Sequence, residues 1–235
     1  YKGRTHMNES GYPTAISLSP NGNLLGVAYM YLDAGVLKTN VAFYNFGSVG
    51  DNYSDHLACI YIYSDMVVPY IQFMNDSTAF AAADNRLMVY HGSQKPVTVG
   101  ECLFTTEIRS VFYNERYIGV VFPADNTDNK YMLEVYDTET FVKSGRNPSN
   151  AENGEGKKAD PRLGKYYFDM DYTDIILNRD NFVIYNANEC RIVNYNHVEK
   201  FAGEFEDTVE LLIPVGNSYK YMMITEDSID TIQLK

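Results

Sequence analysis

The chain has no tryptophan, three cysteines and four histidines among its 235 residues. Each scarcity excludes some chemistry. Cys59, Cys102 and Cys190 lie far apart, are odd in number and form no C-x-x-C pair, so neither a zinc site nor a thioredoxin-like dithiol fits. Each follows or lies inside an apolar run, where cysteine serves as a small buried hydrophobe; one long-range disulfide stays open. His6, His56, His91 and His197 are scattered, with no H-E-x-x-H or other ligand spacing. A G-x-S-x-G elbow and a P-loop are both missing, which argues against hydrolase and nucleotide chemistry of those kinds. No metal or other cofactor is expected.

Cations are scarce too. Nineteen Lys and Arg face 31 Asp and Glu, for a net charge of −12. Such a chain repels nucleic-acid phosphates and anionic headgroups, so neither is an expected partner. The densest basic spot, Gly156-Lys157-Lys158, sits in a polar loop. There is no apolar stretch long enough to span a bilayer and no signal peptide. The chain opens Tyr1-Lys2-Gly3-Arg4 without an initiator methionine, as a fragment trimmed from a longer protein would.

What the chain has in plenty is tyrosine, 21 residues of it, with 12 phenylalanines. Tyrosine favours pleated, half-buried positions, where the ring packs and the hydroxyl stays wet. An apolar content of 45% rules out wholesale disorder.

A repeat runs through the chain. Val41-Ala42-Phe43-Tyr44-Asn45 is echoed by Leu87-Met88-Val89-Tyr90-His91, by Leu133-Glu134-Val135-Tyr136-Asp137 and by Ile192-Val193-Asn194-Tyr195-Asn196. The tyrosines are 46, 46 and 59 residues apart. The first two intervals match the roughly 40–50 residues of a four-stranded propeller blade. The third is lengthened by residues 144–165, a Gly-, Asn-, Pro- and charge-rich stretch expected to be an inserted flexible loop.

Each repeat has one internal order. A short first strand (Ala15–Leu18, Tyr70–Phe73, Arg109–Phe112, Thr173–Leu177, Val209–Ile213) leads to a turn rich in Asn, Gly and Asp. An apolar second strand follows, with small residues such as Gly26, Ala28, Ala81 and Gly119 that suit closely packed sheets. The tyrosine echo is the third strand. A less regular fourth strand runs over Leu57–Tyr63, Cys102–Thr106, Tyr166–Phe168 and Phe201–Phe205. Ile229–Leu234 is a last third strand with no fourth after it. No segment sustains a 3.6-residue period; Asp137–Val142 comes nearest and is too short to be read as a helix. The expected fold is an all-β propeller of four-stranded antiparallel blades. Residues 1–235 form one domain of about four and a half blades, the C-terminal part of a larger ring. A β-sandwich would also show strands every 8–12 residues, but it has no reason to repeat with one period.

Three strings carry a resemblance. They are Gly11-Tyr12-Pro13-Thr14-Ala15-Ile16-Ser17-Leu18-Ser19-Pro20-Asn21-Gly22, Val41-Ala42-Phe43-Tyr44-Asn45-Phe46-Gly47, and Glu107-Ile108-Arg109-Ser110-Val111-Phe112-Tyr113-Asn114-Glu115-Arg116-Tyr117-Ile118-Gly119. With the ending Ile232-Gln233-Leu234-Lys235, the chain resembles an uncharacterised family of membrane-anchored, propeller-like proteins from Clostridia and related bacteria. The resemblance implies a propeller of seven or eight blades, a membrane helix upstream of Tyr1, and a domain outside the cytoplasm. It implies no activity and supplies no catalytic residues.

Several residues are candidates for a site. Asp169 and Asp171, in Asp169-Met170-Asp171-Tyr172-Thr173-Asp174, would share a face if the segment were a strand; paired carboxylates can act on a glycoside. Carboxylates this close in sequence more often line a solvated turn, and the lack of tryptophan weakens the glycan reading. Asp125-Asn126-Thr127-Asp128-Asn129 resembles part of a calcium loop without its Gly and Glu in register, and is read as a polar hairpin. Arg109 opens the innermost strand of its repeat, where a cation could bind an anionic ligand; the plainer expectation is a salt bridge to Glu107 or Asp169. Tyr12, Tyr70 and Tyr172 occupy comparable strand starts and could gather as an aromatic ring, or simply pack. The expected function is a non-catalytic binding or scaffold module for a protein or cell-wall glycan. A glycan hydrolase is the alternative.

Overall fold

A computed structural model describes residues 11–47, 56–126, 128–145, 159–216 and 219–233. It forms two compact units, one of residues 1–108 with 138–161 and one of residues 109–137 with 162–235. Every sheet among the described residues is a simple antiparallel meander of consecutive strands.

The first unit holds two four-stranded sheets. One runs β1 (Tyr12–Leu18), β2 (Leu24–Asp33), β3 (Val36–Asn45) and β4 (Leu57–Ser64). The other runs β5 (Tyr70–Phe73), β6 (Thr78–Ala83), β7 (Arg86–His91) and β8 (Val97–Leu103). The second unit holds β9 (Ser110–Tyr113), β10 (Tyr117–Pro123), β11 (Tyr131–Asp137) and β12 (Arg162–Phe168), then β13 (Asp174–Leu177), β14 (Asn181–Tyr185), β15 (Glu189–Asn194) and β16 (Glu199–Glu204). A three-stranded sheet of β17 (Val209–Pro214), β18 (Lys220–Thr225) and β19 (Ile229–Gln233) completes it.

In two of the sheets asparagine starts the turn between first and second strands, as expected from its ability to mimic a backbone turn. Asn75 Oδ1 accepts the amides of Ser77 (3.0 Å) and Thr78 (2.9 Å), and Asn114 Oδ1 those of Arg116 (2.8 Å) and Tyr117 (2.7 Å). The echoed tyrosines follow a common irregularity. The third-to-fourth-strand register shifts immediately before Tyr44, Tyr90 and Tyr136, and all three tyrosines are buried. A bulge there strengthens the local twist and re-aims the side chain inward. The fourth echo departs from this: the shift falls between Ile192 and Val193, and β15 ends at Asn194, so Tyr195 lies beyond it.

The small residues of the second strands let neighbouring sheets close in. A Cβ on Gly26 would meet Ile71 Cδ1 at 2.8 Å, and one on Gly119 would meet Leu133 and Leu177 at 3.2 Å. In the first unit Phe43, Phe73 and Tyr90 pack edge-on in the core. Two polar stitches join its sheets: Thr14 Oγ1 donates to Val68 O (2.7 Å) and Phe73 N to Ser17 Oγ (2.9 Å). In the second unit β9–β12 and β13–β16 share a core of Leu133, Phe168, Ile184 and their neighbours.

Some expectations need correcting. A helix, α1 (Thr138–Gly145), forms where none was read. Its own period is too short to announce it; docking holds it, with buried Phe141 over β8 so tightly that a Cβ on Gly100 would lie 2.1 Å from the ring. The expected insertion at 144–165 thus begins inside α1 and ends inside β12, and 146–158 lie outside the described residues. The fourth strand of the second sheet is Val97–Leu103 rather than Cys102–Thr106, because the ladder to β7 begins at His91–Val97. No disulfide joins Cys59, Cys102 and Cys190, and only Cys190 is buried. Among the described residues no helix is long and apolar enough to cross a membrane.

Candidate functional site

Three of the residues singled out in the sequence converge in the second unit. Arg109 precedes β9 and its backbone amide extends the ladder to Val121 O (2.8 Å). Its guanidinium carbon lies 5.0 Å from the centre of the Tyr131 ring, a cation–π contact. Tyr131 opens β11, opposite Phe168 at the end of β12. Tyr172, in the β12–β13 connection, meets Tyr131 edge-on at 5.0 Å and Phe168 at 5.7 Å, and its hydroxyl bonds Ser110 Oγ at 2.6 Å. The result is a shelf of three rings with a cation laid over one of them.

Asp171 borders the shelf. Its Oδ2 accepts from Lys130 Nζ and its Oδ1 from the Tyr131 hydroxyl, both at 3.0 Å. Its backbone carbonyl accepts from Asn186 Nδ2 at 2.8 Å, which fixes the connection. The Lys130 and Tyr131 hydrogen bonds, and the charge of Arg109, hold the Asp171 carboxyl below the usual carboxylate range.

The paired-carboxylate alternative for Asp169 and Asp171 does not form. Neither is in a strand, since β12 ends at Phe168 and β13 begins at Asp174. Asp169 pairs with Arg191 at 3.4 Å, while Asp171 pairs with Lys130. The next carboxyl, Asp174, is pushed up by burial, but its Oδ1 already accepts the Ile175 amide (2.7 Å). The salt bridge expected of Arg109 to Glu107 or Asp169 is absent as well. Among the described residues its guanidinium has no hydrogen bond or ion pair; the Tyr131 ring is what positions it.

Tyr12 and Tyr70 belong to the other unit. Tyr12 is 75% exposed, and Tyr70 packs against Phe80 at 5.6 Å. The Asp125–Asn129 hairpin is a turn built on Asn126, whose Oδ1 accepts the amides of Asp128 (3.1 Å) and Asn129 (3.0 Å). Among the described residues no three His, Cys, Asp or Glu side chains gather as they would around a metal ion. Burial pushes the Cys190 thiol up to about 11, away from reactive thiolate chemistry.

Lys130 and Tyr131 were not legible as site residues. They reach Asp171 from about forty positions away in sequence, and only the β11–β12 pairing brings them there. One signal was present: Tyr131, Leu133 and Val135 alternate on β11, so Tyr131 must lie on the core side, at its edge.

No curated protein matches the chain. Among solved structures it is similar to the β-propeller domain of the trilobed protease from Pyrococcus furiosus, at 11% identity, with 97% of this chain and 72% of that one covered and a TM-score of 0.51. It is also similar to Pyrococcus horikoshii acylaminoacyl peptidase, at 10% identity over 96% of this chain and 39% of that one, with a TM-score of 0.51. Kluyvelomyces marxianus Hsv2 is similar at 10% identity over 95% of this chain, with a TM-score of 0.49; the chain spans 59% of the Hsv2 length. At such identities the likeness bears on fold alone, and the fold is a β-propeller of antiparallel sheets, four of them four-stranded and one three-stranded among the described residues. The match of residues 1–147 and 153–234 to the family of unknown function DUF5711 makes this chain a member of that family.

Proposed function

We propose that this chain is a non-catalytic binding module, held outside the cytoplasm by a membrane segment upstream, that engages its partner through the Arg109–Tyr131–Tyr172 shelf. One observation carries the reading: the exposed Arg109 guanidinium is held over Tyr131 while its N–H donors have no acceptor among the described residues. Guanidinium and tyrosine are the side chains that most often dominate binding surfaces, and a pre-positioned one loses little freedom on binding. The location outside the cytoplasm and the tether draw support from the family resemblance alone.

The glycan-hydrolase alternative fits the geometry less well. A general acid needs a raised pKa, and Asp171 is held low with both oxygens engaged. The test has two arms. Purified protein should turn over no member of glycan or ester panels. It should also retain a partner from solubilised cell envelopes, at least tenfold less after Arg109→Met. Glycan hydrolysis that disappears in Asp171→Asn would overturn the reading.

A further inference from the structure

Resting on that binding reading, we infer that the group Arg109 receives is a single carboxylate, carried by an acidic side chain of a protein partner. Charge comes first. The ion pairs at the shelf's rim engage Lys130, Arg191, Asp169 and Asp171, while Glu107 stands two residues before Arg109 and makes no ion pair with it. Lys130 pairs with Asp171 at 3.0 Å and Arg191 with Asp169 at 3.4 Å. Of the three cations Arg109, Lys130 and Arg191, only the Arg109 guanidinium is in no ion pair among the described residues. A monoanion matches it. A phosphoryl group, close to a dianion at neutral pH, would bring surplus negative charge beside Asp171 in a chain of net charge −12.

Shape agrees with charge. A guanidinium is a planar fork whose parallel N–H groups fit the two oxygens of one carboxylate. The contact with Tyr131, 5.0 Å from the guanidinium carbon to the ring centre, restrains where that fork sits before the ligand arrives. The neighbouring Tyr172 ring is half-buried, tied by its hydroxyl to Ser110, and offers a rigid aromatic edge to whatever carries the carboxylate. Tyrosine and arginine are the residues enriched at protein interfaces, and the chain lacks the tryptophan that a sugar platform would favour.

The experiment uses the whole chain and follows the Arg109 side-chain Nε–Hε resonance by NMR. The probes are acetylated, amidated tripeptides Tyr-X-Tyr with X as glutamate, glutamine or phosphoserine, and digalacturonate. The glutamate peptide should shift the Arg109 signal saturably, with the glutamine peptide at least tenfold weaker and the phosphoserine peptide and digalacturonate no tighter. Arg109→Lys, which keeps the charge and loses the fork, should weaken the glutamate peptide at least tenfold with the backbone spectrum otherwise unchanged. Equal response to glutamine, no response to glutamate, tenfold tighter phosphoserine binding, or tighter digalacturonate binding would each overturn the carboxylate assignment. If envelope-partner retention still depends on Arg109 while the glutamate peptide is silent, the carboxylate assignment falls and the binding module stands.

Discussion

Two connectors in the molecule share one frame and do different jobs. Between β4 and β5 the chain reads Asp65-Met66-Val67-Val68-Pro69; between β12 and β13 it reads Asp169-Met170-Asp171-Tyr172-Thr173. Each begins with an exposed aspartate and then a methionine packed on its unit's core. Each is tied back to the first sheet of its unit, by Thr14 Oγ1 to Val68 O in one and Ser110 Oγ to the Tyr172 hydroxyl in the other. The third and fourth positions make the difference. Val68 is fully buried and becomes core, whereas Asp171 and Tyr172 stay at the surface and hold Lys130, Tyr131 and the shelf. A packing frame can thus be kept while two residues turn a core connector into a display connector.

The largest effect should come from breaking the buried connector. Val68→Asp places an unpaired charge at a site with 0% exposure and should cost about 3 kcal/mol or more, read as a lower urea midpoint. Asp171→Val, on the exposed connector, should leave that midpoint nearly unchanged. A similar contrast applies to the second strands. Gly26→Ala pushes a Cβ to 2.8 Å from Ile71 and should cost about 1–3 kcal/mol. Gly119→Ala meets leucine methyls at 3.2 Å and should cost less than about 1 kcal/mol, because alanine's smaller backbone entropy loss offsets the squeeze. Tyr172→Val removes a half-buried ring and its bond to Ser110, and should cost about 1–2 kcal/mol in the same denaturation measurement.

The smallest effect concerns protons. The folded-state pKa of Asp171 is depressed, so its contribution to stability is present above the ordinary aspartate pKa of about 3.9 and is lost as pH falls through the folded value. A carboxyl NMR titration should place Asp171 below the ordinary aspartate value of about 3.9, and Lys130→Met should move it back up. An Asp171 that titrates at the ordinary aspartate value would show that Lys130 and Tyr131 do not hold it in solution.

Much of this fold was legible because sheets obey short rules. The buried tyrosines at 44, 90 and 136 fell at one period, and the Asn75 and Asn114 turns could be placed from residue type. Tyr195 escaped, since it stands past the end of β15 and packs its ring on Tyr117 and Phe182 from a turn. Helix α1 escaped because Phe141 is stabilised by β8 rather than by its own sequence period. Half of the candidate site was readable: Arg109, Asp171 and Tyr172 stand out in the sequence, while Lys130 and Tyr131, which hold Asp171, do not. Carboxylates two apart suggest a shared face only where the backbone is extended, and the segment between Phe168 and Asp174 is not a strand.

The account depends on the β12–β13 connector being the part that meets a partner. The direct measurement is envelope-partner retention by the double variant Asp171→Val/Tyr172→Val, which gives the second unit the two valines of the first. Retention should fall at least tenfold while the protein remains folded by circular dichroism. Retention equal to that of the unaltered chain, with the fold intact, would contradict the account.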